Sequence, residues 1–307
     1  MERITNPAAM RAWTDGRRRA GERIALVPTM GALHTGHLAL VRQGAAVADD
    51  VVVSVFVNPI QFDRRDDFDA YPRDTERDAA AVAGAGVAAL YMPAAEAMYP
   101  GGFQSQVTVD RVTTSLCGAH RPGHFRGVTT VVTKLFHAVQ PHVALFGEKD
   151  YQQLVTIKRM VRDLDFGIEV VGVPTVREND GVALSSRNQR LSPRERRAAA
   201  CVPRGLHAAV EAAAAGHRRR GAVLGAVERE IAAEPLARLE YAELCDPDTL
   251  DSLTELDRPG RLVVAVWVGQ VRLIDNCAIG GDCARAMNGT PAWRGPAADV
   301  QPKGAVT

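Results

Sequence analysis

Val27-Pro28-Thr29-Met30-Gly31-Ala32-Leu33-His34-Thr35-Gly36-His37 joins an apolar run, Ile24 to Leu26, to a helical pattern that opens at Leu38-Ala39-Leu40-Val41. The apolar run reads as a buried strand, so the stretch is a strand-to-helix turn with two glycines and two histidines. Such a junction suits an anion, because free backbone N–H groups and the positive end of the helix dipole point at it. Gly31 and Gly36 let the backbone approach a phosphate without an intervening Cβ. His34 and His37 are three apart, which places both on one side of a first helical turn. Two imidazoles there can donate hydrogen bonds to charge building on a phosphate during transfer. The zinc-protease pattern needs a spacing of four with an intervening Glu, and neither is present, so no metal ligands are assigned.

Working outward, apolar β-branched runs recur at 51–57, 87–92, 142–146 and 168–176, with helical patterns at 38–47, 74–83, 128–140 and 148–165. Strands apolar on both faces, alternating with helices, predict a doubly wound parallel sheet of the α/β class. Ligands of such sheets bind at the carboxyl ends of the strands. The unusual polar segments fall there: the turn at 28–37, then 58–62, 147–150 and 177–188. Past Asn188 the texture changes to alanine-rich helices at 191–216 and 221–233, then strands at 238–244, 261–268 and 271–276. Gly269-Gln270 joins the last two as a tight hairpin. The expected organisation is a first domain over 1–176 and a smaller α+β domain over 177–285. A disordered, Gly-, Pro- and Ala-rich tail is expected over 286–307.

Composition narrows the function. The chain has 307 residues, 46% of them hydrophobic, and a formal charge of +1. That charge gives no general attraction to nucleic acid or membranes. No apolar run has spanning length and Met1 to Thr5 lacks a signal-peptide core, so a cytoplasmic location is expected. The five cysteines form no CxxC pair and read as reduced structural thiols. Only Lys134, Lys149, Lys158 and Lys303 of the 37 basic residues are lysines, which draws attention to a lysine kept inside a motif. The arginine runs at 194–197 and 218–220 lack neighbouring aromatics and read as solvated helix faces rather than an RNA surface.

Each polar segment offers a defined chemistry. Asn58 and Gln61, in Asn58-Pro59-Ile60-Gln61-Phe62, can donate and accept hydrogen bonds without charge, which suits a small hydroxylated acid. Gly147-Glu148-Lys149-Asp150 opens a helix on which Lys149 and Gln153 share a face while Gln152 points elsewhere. Ser185, Ser186 and Arg187 supply two hydroxyls and a permanent charge matched to phosphate oxygens, on a loop expected to be mobile. Arg121 to Gly127, with His124 at its centre, is either a flap or a plain connection.

The His34-Thr35-Gly36-His37 turn resembles the HxGH signature of the nucleotidylyltransferases, and Ser185 to Arg187 looks like a counterpart of their KMSKS loop. The ordered set PTMGALHxGH, VNPxQF, DFDAYPR, RPGHFRGV, FGEKDYQQL, VPTVRE and LSSRN resembles the pantothenate synthetase family, the pantoate–β-alanine ligases, over residues 4–279. That resemblance implies a Rossmann-like domain with a smaller lid. It also implies two half-reactions: pantoate attacks the α-phosphate of ATP to give pantoyl adenylate, and β-alanine then displaces AMP. Carried onto matching positions, it places ATP against Met30, Gly31, Ala32, Leu33, His34, Thr35, Gly36 and His37. Gly147, Glu148, Lys149, Asp150, Val176, Leu184, Ser185, Ser186 and Arg187 complete that site. His37 matches the usual proton donor, with His34 and Lys149 as the other catalytic groups. Pantoate and β-alanine fall to Gln61 and Gln153, with Asn58 and His124 secondary. Mg2+ is expected mainly on the ATP phosphates, and a homodimer is expected. Cys117 stands where an acidic residue is also accepted. The alternative is another small-molecule nucleotidylyltransferase, which would keep the nucleotide in its product.

Overall fold

Ile24-Ala25-Leu26-Val27 has no polar face, and in the computed structural model, which describes residues 1–280, it lies inside a sheet covered on both sides. Six strands form that sheet: β1 Glu2–Ile4, β2 Ile24–Thr29, β3 Asp50–Val55, β4 Val87–Tyr91, β5 Val143–Gly147 and β6 Glu169–Val173. They run parallel in the order β1-β4-β3-β2-β5-β6. Side chains alternate across a strand. Ile24 and Leu26 therefore pack on one side with Met10, Phe136 and Ile157 from the helices Pro7–Arg19, His124–Val139 and Tyr151–Asp163. Ala25 and Val27 pack on the other with Val41 and Val82 from the helices Thr35–Val47 and Thr75–Ala83.

The strand order creates the functional crevice. From β2 the chain moves outward through β3 and β4, then returns to place β5 on the opposite flank of β2. That reversal is a topological switch point, where α/β sheets bind ligands. The β2–β5 pairing covers only Ala25 with Val143 and Leu26 with Ala144, although β2 runs on to Thr29 and β5 to Gly147. The two strands thus part toward their carboxyl ends.

A second, antiparallel sheet contains β7 Ala237–Cys245, β8 Gly260–Val268 and β9 Val271–Ile279. With the helices Cys201–Ala214 and Arg220–Ala232 it has its own core, including Leu206, Val223, Val227, Leu244 and Val264. The buried pair Arg177–Asp275, at 2.6 Å, ties the start of this region to β9.

Several boundaries differ from the sequence expectation. β1 has only three residues, too few to display a period, and the sequence reading passed over it. The helix expected at 191–216 is two helices, Pro193–Ala198 and Cys201–Ala214. The helix after β5 starts at Tyr151, because Glu148–Asp150 forms a tighter 3-10 turn. The tail expected over 286–307 lies outside the described residues.

Candidate active site

The turn after β2 is built by side chains as much as by backbone. Gly31 has φ +85° and Ala32 has φ +50°, a left-handed pair that reverses the chain. The Asp78 carboxylate, 2% exposed on the helix Thr75–Ala83, accepts from the N–H of Ala32 at 3.0 Å and of Leu33 at 2.7 Å. A Cβ on Gly31 would lie 2.7 Å from Asp78 Oδ2. Gly31 is therefore needed for its φ and for room beside Asp78, which corrects the expectation that it admits a phosphate. Gly36 lines the cavity between β2 and β5, and a Cβ there would also meet the His34 ring at 2.9 Å.

His34 is the N-cap of Thr35–Val47, and the two histidines form a reciprocal capping box. The Nδ1 of His34 accepts from Gly36 N–H at 3.2 Å, and the Nδ1 of His37 accepts from His34 N–H at 3.2 Å. Each ring is therefore the tautomer with its proton on Nε2. Burial lowers the pKa of His34, and burial with the neighbouring His34 lowers that of His37 to about 3. Near neutral pH, in the ligand-free chain, both rings are uncharged and carry their N–H on Nε2. The N–H groups of Gly31, Ala32, Leu33, His34 and Gly36 are already engaged within the turn, which leaves the imidazole Nε2–H groups as donors beside the remaining amides. The expectation of free loop amides fails at those five positions.

These imidazoles face a cavity of 210 Å³ between β2 and β5, also lined by Met30, Lys149, Gln153 and the Val176, Leu184–Arg187 side of the long loop. A second cavity of 240 Å³ adjoins it toward the antiparallel sheet and shares Met30, Gln61, Lys149, Asp150, Gln153, Ser185 and Arg187 as walls. Lys149 lies on the 3-10 turn rather than the helix, yet it and Gln153 line both spaces. Gln152 lines only the second cavity and anchors the 112–117 segment through Val112 O, Ser115 O and Cys117 N–H.

Gln61 is oriented from behind. Gly127 O can only accept, so the Asn58 atom facing it at 3.1 Å is Nδ2, and that group also donates to Gln61 Oε1 at 2.9 Å. Gln61 Nε2 is thereby turned toward Met30 Sδ and the cavity, presenting a donor. Asn58 is 1% exposed and fully spent on Gln61, Gly127 and the Tyr99 hydroxyl, so it orients Gln61 and does not line either cavity. His124 lines the second cavity and donates from Nδ1 to Gln61 O at 2.8 Å; burial and Arg121 push its pKa down to about 4. Gly31, Ala32, Leu33 and Thr35 shape the turn without lining the cavities. Glu148 faces Arg261 of β8 at 3.1 Å instead.

The sequence reading missed several contributors. Asn276 Nδ2 on β9 donates to Glu148 O at 2.9 Å and Lys149 O at 3.0 Å, fixing the lysine-bearing turn from the second sheet. Tyr71 lines the first cavity. Asp67 holds Arg187, which ties down a loop expected to be mobile. Asp67 and Tyr71 both sit in the DFDAYPR segment, so a signal was present, whereas Asp78 and Asn276 carried none.

A doubly wound sheet with imidazole, ammonium and guanidinium donors gathered at its switch point is the architecture of a nucleotide-using α/β enzyme. The family model described as pantoate–β-alanine ligase matches residues 2–278. Pantothenate synthetase of Moorella thermoacetica is 52% identical over 279 residues, covering 91% of this chain and 99% of that protein. The crystal structure of pantothenate synthetase from Thermus thermophilus superposes with a TM-score of 0.87 at 47% identity, covering 92% of this chain and all of that one. That of the Francisella tularensis ligase, complexed with β,γ-ATP and β-alanine, gives a TM-score of 0.76 at 31% identity over 90% of this chain and 97% of that one. The chain belongs to the pantoate–β-alanine ligase family, whose members are ligases.

Proposed function

We propose that this chain condenses pantoate with β-alanine in two half-reactions at the paired cavities, with pantoyl adenylate between them. The pantoate carboxylate attacks the α-phosphorus of ATP and pyrophosphate leaves; the β-alanine amine then attacks the acyl carbon and AMP leaves. The observation carrying this reading is the shared wall: groups suited to phosphate and amides suited to an acid meet across one space. His34 and His37 donate from Nε2 to phosphate oxygens, and Lys149 and Arg187 supply positive charge. Such chemistry depends on positioning and charge stabilisation more than on a protein nucleophile. Gln61 and Gln153 hold pantoate, and Gln61 also lies beside the cavity through which the amine arrives.

Mg2+ belongs to the same proposal as a companion of the triphosphate. Such ions bind through substrate phosphates plus one or two carboxylates, and Asp150 is a partly exposed carboxylate on both cavity walls. Residues 1–176 as substrate domain and 177–285 as cover accord with the separate cores. A homodimer and a cytoplasmic location follow the family resemblance, and sedimentation equilibrium tests the former. The main experiment is pantoate-dependent exchange of pyrophosphate into ATP, with Gln61→Ala beside the wild type. Losing a hydrogen bond to a charged substrate weakens binding roughly ten- to hundredfold. The variant should therefore need far more pantoate while calorimetry finds unchanged ATP affinity. Equal loss in both would move Gln61 to the nucleotide, and no exchange with pantoate in the wild type would overturn the reaction.

A further inference from the structure

The loop carrying Arg187 is held from across the cleft by one carboxylate. Asp67 lies on the short helix Arg65–Asp69, and its side chain is 18% exposed. Its Oδ2 accepts from Arg187 Nη2 at 2.9 Å, and its Oδ1 accepts from Arg190 Nη1 at 2.6 Å. Four residues on, the Tyr71 hydroxyl lies 3.4 Å from Ser186 Oγ, a second tie between the same two segments.

Arginine presents five N–H donors in a rigid plane. Asp67 takes one from Arg187, and Arg187 still lines both cavities. Without the carboxylate, Arg187 and Arg190 would be two like charges on adjacent turns of one loop, and each would gain by swinging into water. We propose that Asp67 is the positioning residue for Arg187: it clamps one edge of the guanidinium so that the other meets the triphosphate already oriented. This rests on Arg187 being a phosphate donor, as read above. A phosphate-binding arginine on an untethered loop would have to be ordered by the substrate itself, at a cost in ATP affinity.

The test is a double-mutant cycle in the full chain, read by pantoate-dependent pyrophosphate exchange. Asp67→Asn should raise the KM for ATP roughly tenfold, the scale of one charge-assisted hydrogen bond, and leave the KM for pantoate within about twofold. Asp67→Glu, which restores the charge, should recover most of that loss. In an Arg187→Ala background Asp67→Asn should add nothing, because its effect runs through that side chain. If Asp67→Asn lowers the melting temperature, Asp67→Ser replaces it in the cycle. An unchanged ATP KM in Asp67→Asn, equal rises in both KM values, no recovery with Glu, or full additivity with Arg187→Ala would each overturn the proposal. An Arg187→Ala enzyme with normal ATP kinetics is a separate result: it would refute the phosphate role of Arg187, and the clamp with it.

Discussion

Acidification should unfold this protein in a way that can be assigned to one ring. In the folded chain burial, with the neighbouring His34 and Lys149, pushes the His37 pKa down to about 3. An unfolded histidine titrates at ~6.5. As the pH falls, the unfolded chain takes up this proton first, so unfolding is favoured below pH ~6.5 and stability keeps falling until the folded ring also protonates. Between pH 7 and pH 5 about one and a half units lie below the unfolded pKa. At ~1.4 kcal/mol per unit, His37 alone removes roughly 2 kcal/mol of stability over that window. His37→Gln keeps an oxygen able to accept the His34 N–H but does not titrate. Urea unfolding followed by circular dichroism at both pH values should show the wild type losing about 2 kcal/mol more than the variant. His124, also pushed down to about 4, acts in the same direction in both proteins and cancels. Parallel pH dependence would refute the buried, uncharged, Nδ1-accepting His37 described here.

Three further outcomes follow from the same geometry. Asp78→Ala removes a carboxylate from two N–H groups of the turn, so it should cost roughly 3–6 kcal/mol at about 1.5–3 kcal/mol per charged hydrogen bond, read as a loss in unfolding free energy. Asn276→Ala, which frees the carbonyls of Glu148 and Lys149 and the Arg261 guanidinium, should lower pyrophosphate exchange roughly tenfold, a small displacement of Lys149 being enough, and should also lower the melting temperature. Alkylating the native protein with iodoacetamide should leave turnover intact, since Cys117 is buried and burial pushes Cys201 and Cys245 up to about 12; inactivation prevented by ATP would place a thiol in the site.

Much of this was legible in one dimension because it is written as local pattern. Unbroken apolar runs alternating with helical periods declared a buried parallel sheet, and β2, β3, β4, β5 and β6 lie where those runs lie. The histidine turn, the lysine turn and the serine–arginine loop were recognisable because each is a short, contiguous departure from that pattern. Their order along the chain was enough to point to the family.

Burial periodicity says that a residue faces a core but not which distant residue it meets, and the site turns on the second question. Within the order β1-β4-β3-β2-β5-β6, the crevice lies between β2 and β5, a pairing of segments more than a hundred residues apart. The same holds for Asp67 on Arg187 and Asn276 under Lys149, and Asp78 reaches the Ala32 and Leu33 amides from about 45 residues along the chain. For Gly31 and Gly36, the atoms that fill the missing Cβ space arrive from Asp78 and His34 only on folding, a constraint that local sequence does not carry. The amino-acid order by itself settled which chemical groups the site has; folding decided which of them are already satisfied by one another and which are left facing the cavity.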